Sequence, residues 1–110
     1  MDRTLQASCF AARVSRGTCG VIEVSGELDL AGAPVLESAV RDLELSMVRN
    51  AVLDLRQLAF IDVAGLNAVL DLYAECLSVA ATLTIIPGPP CVHRLFELTR
   101  IDQLLPFSHA

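Results

Sequence analysis

Residues 52–67, Val-Leu-Asp-Leu-Arg-Gln-Leu-Ala-Phe-Ile-Asp-Val-Ala-Gly-Leu-Asn, join two kinds of hydrophobic spacing in one short stretch. The apolar run at 51–55 has the length and content of a buried strand. Arg56 and Gln57 interrupt it, and Phe60 and Ile61 are expected to turn the chain inward again. Asp62 stands where a helix N-cap belongs, and from Val63 onward the spacing is that of a helix. A strand that hands over to an exposed helix start presents unpaired backbone N–H groups and the positive end of the helix dipole. The turn at Asp62 is therefore the first place to look for function.

The rest of the chain builds around that unit. Residues 1–8 are expected to be a loose leader. Residues 9–14 and 20–25 read as two strands joined by the turn residues Ser15-Arg16-Gly17-Thr18, with Gly26 ending the second. Glu27-Leu28-Asp29-Leu30 follows as an acidic loop. Pro34 suits the first turn of a helix. Val35, Leu36, Ala39, Val40 and Leu43 recur behind it at helical spacing.

In the helix after Asp62, Leu66, Leu70, Tyr73 and Leu77 are expected to face inward, with Asn67, Asp71 and Glu75 as a polar ridge. Residues 80–86 form a further strand, stopped by Pro87-Gly88-Pro89-Pro90. The last helix should bury Val92, Leu95, Phe96 and Leu98, and Ile101, Leu104 and Leu105 make a closing turn. The order is ββαβαβα. Strands alternating with helices imply one α/β domain with a mixed, mostly parallel sheet packed against helices. The domain spans 9–107, with a tail at 108–110.

Composition narrows the function classes. The net charge is −5, and all eight basic residues are Arg, scattered along the chain. That pattern has no electrostatic footprint for nucleic acid or anionic lipid, so proteins are the expected partners. No apolar run reaches membrane-spanning length, and the N-terminus lacks the basic flank and apolar run of a signal peptide, so the expected location is the cytoplasm. The 54% apolar content leaves room for a homodimer patch, although a small core needs such content too.

Catalytic patterns are missing. There is no Gly-rich phosphate loop of the GxxxxGK or GxGxxG kind, and no Ser or Cys motif placed to pair with His93 or His109. His93 reads as a solvated helix position. Cys9, Cys19, Cys76 and Cys91 form no CxxC pair and no zinc spacing, and read as small buried hydrophobes, with nothing in the sequence pointing to a redox pair. Asp29 and Asp62 share one end of the sheet, which raises the thought of a metal. A turn residue and a cap are the commoner roles for such carboxylates. No cofactor, no metal and no enzymatic activity are expected.

Two motifs carry a resemblance. Gly26-Glu27-Leu28-Asp29 after one strand, and Phe60-Ile61-Asp62-Val63-Ala64-Gly65-Leu66 after the next, resemble the paired signatures of the STAS domain family, which includes the bacterial anti-sigma factor antagonists. The strand at Val52-Leu53-Asp54-Leu55 and the helix at His93-Arg94-Leu95-Phe96-Glu97-Leu98-Thr99 fit the same pattern, over roughly residues 8–107. The resemblance implies a non-catalytic switch. Such proteins dock on an anti-sigma factor with a histidine-kinase-like fold and release the sigma factor it holds. By the resemblance, the docking residues are Glu27, Asp29, Asp62, Val63, Ala64, Gly65, Leu66 and Asn67.

The partner of such proteins is often a serine kinase that phosphorylates the residue after the Asp, in a loop of the form Asp-Ser-Ser-Gly or Asp-Ser-Thr-Gly. A phosphate adds roughly −1.5 to −2 charge units to the docking surface and blocks it. Here the acceptor position is Val63, and no Ser or Thr occurs in residues 47–77. Phosphorylation at this loop is not expected. Two other readings stand beside this one: a STAS subunit of a lipid-transport or signalling assembly paired with an ATPase, and a small enzyme or nucleotide-binding protein.

Overall fold

Residues 2–108 are described by the computed structural model; Met1 of the expected leader and residues 109–110 of the expected tail lie outside them. The leader is in fact a strand. β1 (Asp2–Ala7) lies antiparallel to β2 (Phe10–Arg16), in register from Asp2↔Ser15 to Ala7↔Phe10. Leu5 is its one large apolar residue, so hydrophobic spacing gives no sign of it. The main-chain ladder and the Arg13–Asp2 ion pair at 2.6 Å hold it as a charged sheet edge.

β3 (Gly20–Leu28) pairs antiparallel with β2 and runs through Gly26, where the sequence suggested an end and a loop. Gly26 has φ +87°, and a methyl there would collide with the Cys9 carbonyl oxygen. The next residue, Glu27, donates its N–H to that oxygen at 2.8 Å. Glycine therefore bends the strand without breaking it, and the register shifts between Gly26 and Glu27.

After α1 (Ala33–Leu43) and a 3₁₀ turn (Leu45–Met47), β4 (Asn50–Ile61) runs parallel to β3. It is twelve residues long, passing straight through Arg56 and Gln57. α2 (Val63–Ser78), β5 (Thr82–Ile86), α3 (Pro90–Leu98) and a 3₁₀ turn (Ile101–Gln103) complete the order βββαβαβα. The five strands stand in chain order, two pairings antiparallel and two parallel. α1 lies over β2 and β3 and against α2, which lies over β4 and β5. Phe10, Ile22, Val24, Leu36, Leu53, Leu55 and Val69 fill the space between.

α2 is rotated from its expected setting. Its buried side is Gly65, Leu66, Ala68, Val69, Leu72 and Cys76, whereas Leu77 is exposed. Small residues on that side bring the helix close to the sheet, an outcome that a stripe chosen by large side chains misses. Asn67, Asp71 and Glu75 are solvent-exposed, as expected. On α3 the expected core residue Leu98 is exposed, while Val92 and Phe96 are buried. Of the cysteines only Cys76 is buried. Cys9 and Cys91 are exposed, because they sit in a hairpin turn and on the first turn of α3. Burial, with Glu75 nearby, pushes the Cys76 thiol up.

Asp54 is the one buried charged residue among those described. Its Oδ1 accepts from the Arg56 backbone N–H and from Arg56 Nε, both at 3.0 Å, and its Oδ2 accepts from Nη2 at 2.8 Å. These bonds from the Arg56 side chain, ahead of the opposing effect of burial, hold the carboxyl below its ordinary range. A depressed folded value means stability that is present at neutral pH and lost as pH falls below about 4. Asp54→Asn should therefore be less stable than the native chain at pH 7, with the gap closing on acidification. Urea unfolding at stepwise pH measures this, and a gap of constant size from pH 7 to 3 would contradict it.

Candidate functional site

β3 and β4 end side by side, with Leu28 opposite Ile61, and both chains then turn into helices. The two turns are built alike. Asp29 Oδ1 accepts from the N–H groups of Ala31 at 3.1 Å and Gly32 at 2.9 Å, and its carbonyl accepts from Ala33 at the start of α1. Asp62 Oδ1 accepts from Gly65 N–H at 3.1 Å, and its carbonyl accepts from Leu66 N–H at 2.9 Å. Asp62 thus caps α2, while Asp29 closes a turn just ahead of α1, the cap and turn roles expected of the pair.

The two turns are also tied to each other. Asp62 N–H donates to the Leu28 carbonyl oxygen at 3.3 Å. Gly65 lies against the same carbonyl so closely that a methyl group would run into it, with Leu28 Cγ at 2.8 Å and Ile61 Cγ1 at 2.9 Å. The residue at this position has to be glycine for α2 to start where it does. The two turns are consequently packed against each other through the Leu28 carbonyl.

Of the expected site residues, Glu27, Val63 and Asn67 are exposed and Asp29, Asp62 and Ala64 are half-buried. Gly65 and Leu66 are not surface residues: Leu66 is 3% exposed and packs into the core. Two surface residues escaped the sequence reading. Leu30 is 78% exposed and Phe60 48% exposed, beside Val63 at 61%. Phe60 stands opposite Glu27 in the β3–β4 register. Its outward setting is hidden because Leu58 and Ile61 are both buried, so strict alternation fails near the register shift. The turn end of the molecule thus carries exposed apolar side chains among Glu27, Asp29 and Asp62.

Among the described residues no group of three or more His, Cys, Asp or Glu could hold a metal ion. His93 is the one described histidine, and it is half-buried and not freely solvated. Its ring stands edge-on to Phe107, with centroids 4.7 Å apart and planes at 88°, and it also faces Phe96. Among the described residues no helix is long and apolar enough to cross a membrane.

A family model described as "Mlab, STAS domain" matches residues 11–106. The chain belongs to the STAS family. Among solved structures, the anti-sigma factor antagonist from Mycobacterium paratuberculosis superposes with a TM-score of 0.80 at 26% identity, over 92% of this chain and 86% of that one. The Bacillus cell fate determinant SpoIIAA in its phosphorylated form gives 0.62 at 16% identity, over 98% and 91%. SLC26A9 gives 0.67 at 12% identity, over 82% of this chain but 18% of that chain. The last two likenesses show the fold alone. In this STAS domain the first residue of α2, where the resemblance puts a phosphate acceptor, is the exposed Val63.

Proposed function

We propose that this STAS protein is a non-catalytic, cytoplasmic regulator of transcription that binds an anti-sigma factor of histidine-kinase-like fold and frees its sigma factor. The docking face is made by Glu27, Asp29 and Leu30 of the first turn and by Phe60, Asp62, Val63, Ala64 and Asn67 of the second. The observation that carries the reading is the exposed apolar Val63 on the capped start of α2, flanked by a second turn of the same construction. The 26% identical antagonist, matched over most of both chains, supports it.

Docking of this kind runs without a phosphate switch in the loop. The side chain of Val63 has no hydroxyl, and neighbouring positions offer none. The complex with a purified kinase-like anti-sigma factor should therefore persist when ATP and Mg²⁺ are added. Val63→Ser should make it ATP-sensitive, with a phosphate mapped to residue 63 by mass spectrometry. Release of the native chain by ATP, through modification elsewhere, would overturn the unswitched reading.

A second, weaker reading rests on the match that covers 18% of SLC26A9. There the superposed fold is a small part of a longer chain, and here it would be a STAS subunit of a lipid-transport or signalling assembly. Capture of an ATPase in place of an anti-sigma factor would select it.

A further inference from the structure

The two edges of the sheet are finished differently. At β5 the segment 106–108 lies along the outer side. Ile85 donates its N–H to the Pro106 carbonyl at 2.9 Å, and its own carbonyl accepts from Ser108 N–H at 2.7 Å. β1 has β2 on one side and, among the described residues, no strand on the other. We propose that β1 is a self-association strand: two copies of the chain join β1 to β1, antiparallel about a two-fold axis at Thr4, so that the five strands of each form one continuous sheet.

The main chain of β1 is set for this. Ala7 and Phe10 close a two-residue loop as a hydrogen-bonded pair, and in an antiparallel ladder such pairs alternate. Leu5 and Arg3 therefore bond to β2, while Asp2, Thr4 and Gln6 turn their N–H and C=O groups to the open side. Such a row is a template for another strand. The usual guards of an edge are missing. β1 holds no proline, its register with β2 runs from Asp2 to Ala7 without a bulge, and the chain has no lysine. Its two charges are tied down within the subunit, Asp2 to Arg13 at 2.6 Å and Arg3 to Asp42 on α1 at 3.1 Å.

A second copy suits this edge better than an unrelated segment. Pairing about Thr4 sets Asp2 against Gln6 and Arg3 against Leu5 of the other copy, so no like charges meet. Thr4 opposes its own copy, a favourable cross-strand pair. The half-buried Leu5 gains the alkyl stem of the opposing Arg3 as cover. Because the β5 edge is covered, association stops at a closed dimer. One short strand buries less than a standard interface, so the dimer is weak, with a dissociation constant of roughly 10–500 µM. β1 runs toward Cys9, whose carbonyl meets Glu27 N–H at the docking end, and the second β1 runs the opposite way. The dimer thus presents two docking faces at opposite ends, a consequence that rests on the docking reading, whereas the dimer itself does not.

Sedimentation velocity of the full-length chain without any partner tests this across about 5–500 µM, the range set by the expected affinity. The weight-average mass should rise from that of one chain toward that of two. Thr4→Pro removes an outward N–H that β2 does not use, so the variant should unfold as cooperatively as the native chain and stay monomeric. Thr4→Lys, at the same exposed position, sets like charges opposite each other. It should weaken the dimer about fivefold, with recovery in high salt. A native chain that stays monomeric at the top of the range would overturn the proposal and leave the edge to an extended segment of a different protein. A dimer of native strength in either folded variant would overturn it as well, by placing the association on another surface.

Discussion

Gly65→Ala is expected to cost stability and move the docking face, although alanine is the better helix former. The propensity gain is at most about 1 kcal/mol. Against it, the new methyl meets the Leu28 carbonyl oxygen, a backbone atom fixed in the parallel ladder between β3 and β4. No rotamer change relieves such a collision, so the first turn of α2 must retreat from the sheet. Overpacking of this kind costs about 1–3 kcal/mol, and the upper half of that range applies where backbone must move. The melting temperature should fall by on the order of 5–15 °C, as expected for a domain of this size. Thermal unfolding followed by circular dichroism reads the change directly. A variant as stable as the native chain would mean that α2 does not start where the structure has it.

Val63→Glu carries the largest expected effect on binding. Val63 is 61% exposed at the first position of α2, so a glutamate there reaches solvent in the free protein and leaves the fold intact. A carboxylate near a helix N-terminus is even slightly favourable, by about 0.3–1 kcal/mol. In the complex the same charge is buried within a face that already holds Glu27, Asp29 and Asp62, next to the apolar Leu30 and Phe60. Burying an unpaired charge in an interface costs several kcal/mol, which corresponds to a loss of affinity of about a hundredfold or more. The expected result is loss of capture of the anti-sigma factor at unchanged or slightly higher thermal stability. Undiminished capture would move the interface elsewhere on the molecule.

The parts of the fold that announce themselves in sequence are those governed by burial. The apolar run at 51–55, the spacing of Leu36, Ala39, Val40 and Leu43, and the cap at Asp62 all survive into the structure. What hydrophobic spacing hides is held by main-chain bonding or by small residues. β1 is a strand because β2 offers it a ladder, and its own side chains give little reason. β3 passes Gly26 because a positive φ bends the chain into a bulge without ending the pairing. α2 packs on Gly65, Ala68 and Cys76 as much as on leucines, which rotates its buried side away from Leu77.

The same division runs through the site. The paired turns and their aspartates are legible from residue type and spacing, since each Asp precedes a helix start. Leu66 faces inward as its helical phase led us to expect, so its place among the docking residues came from the resemblance and not from spacing. Leu30 and Phe60 are legible only in three dimensions, since a loop leucine and a strand phenylalanine ordinarily signal burial. His93 shows the reverse error, a polar residue beside an arginine that the aromatic cluster draws in.

The central claim is that both turns together form the surface another protein covers. Hydrogen–deuterium exchange of the native chain, free and in complex with its purified anti-sigma factor, tests this most directly. Protection on binding is expected at residues 27–31 and 60–67, with α3 and the β1–β2 hairpin unchanged. Protection confined to α3 or to β1, with both turns exchanging as in the free protein, would contradict it.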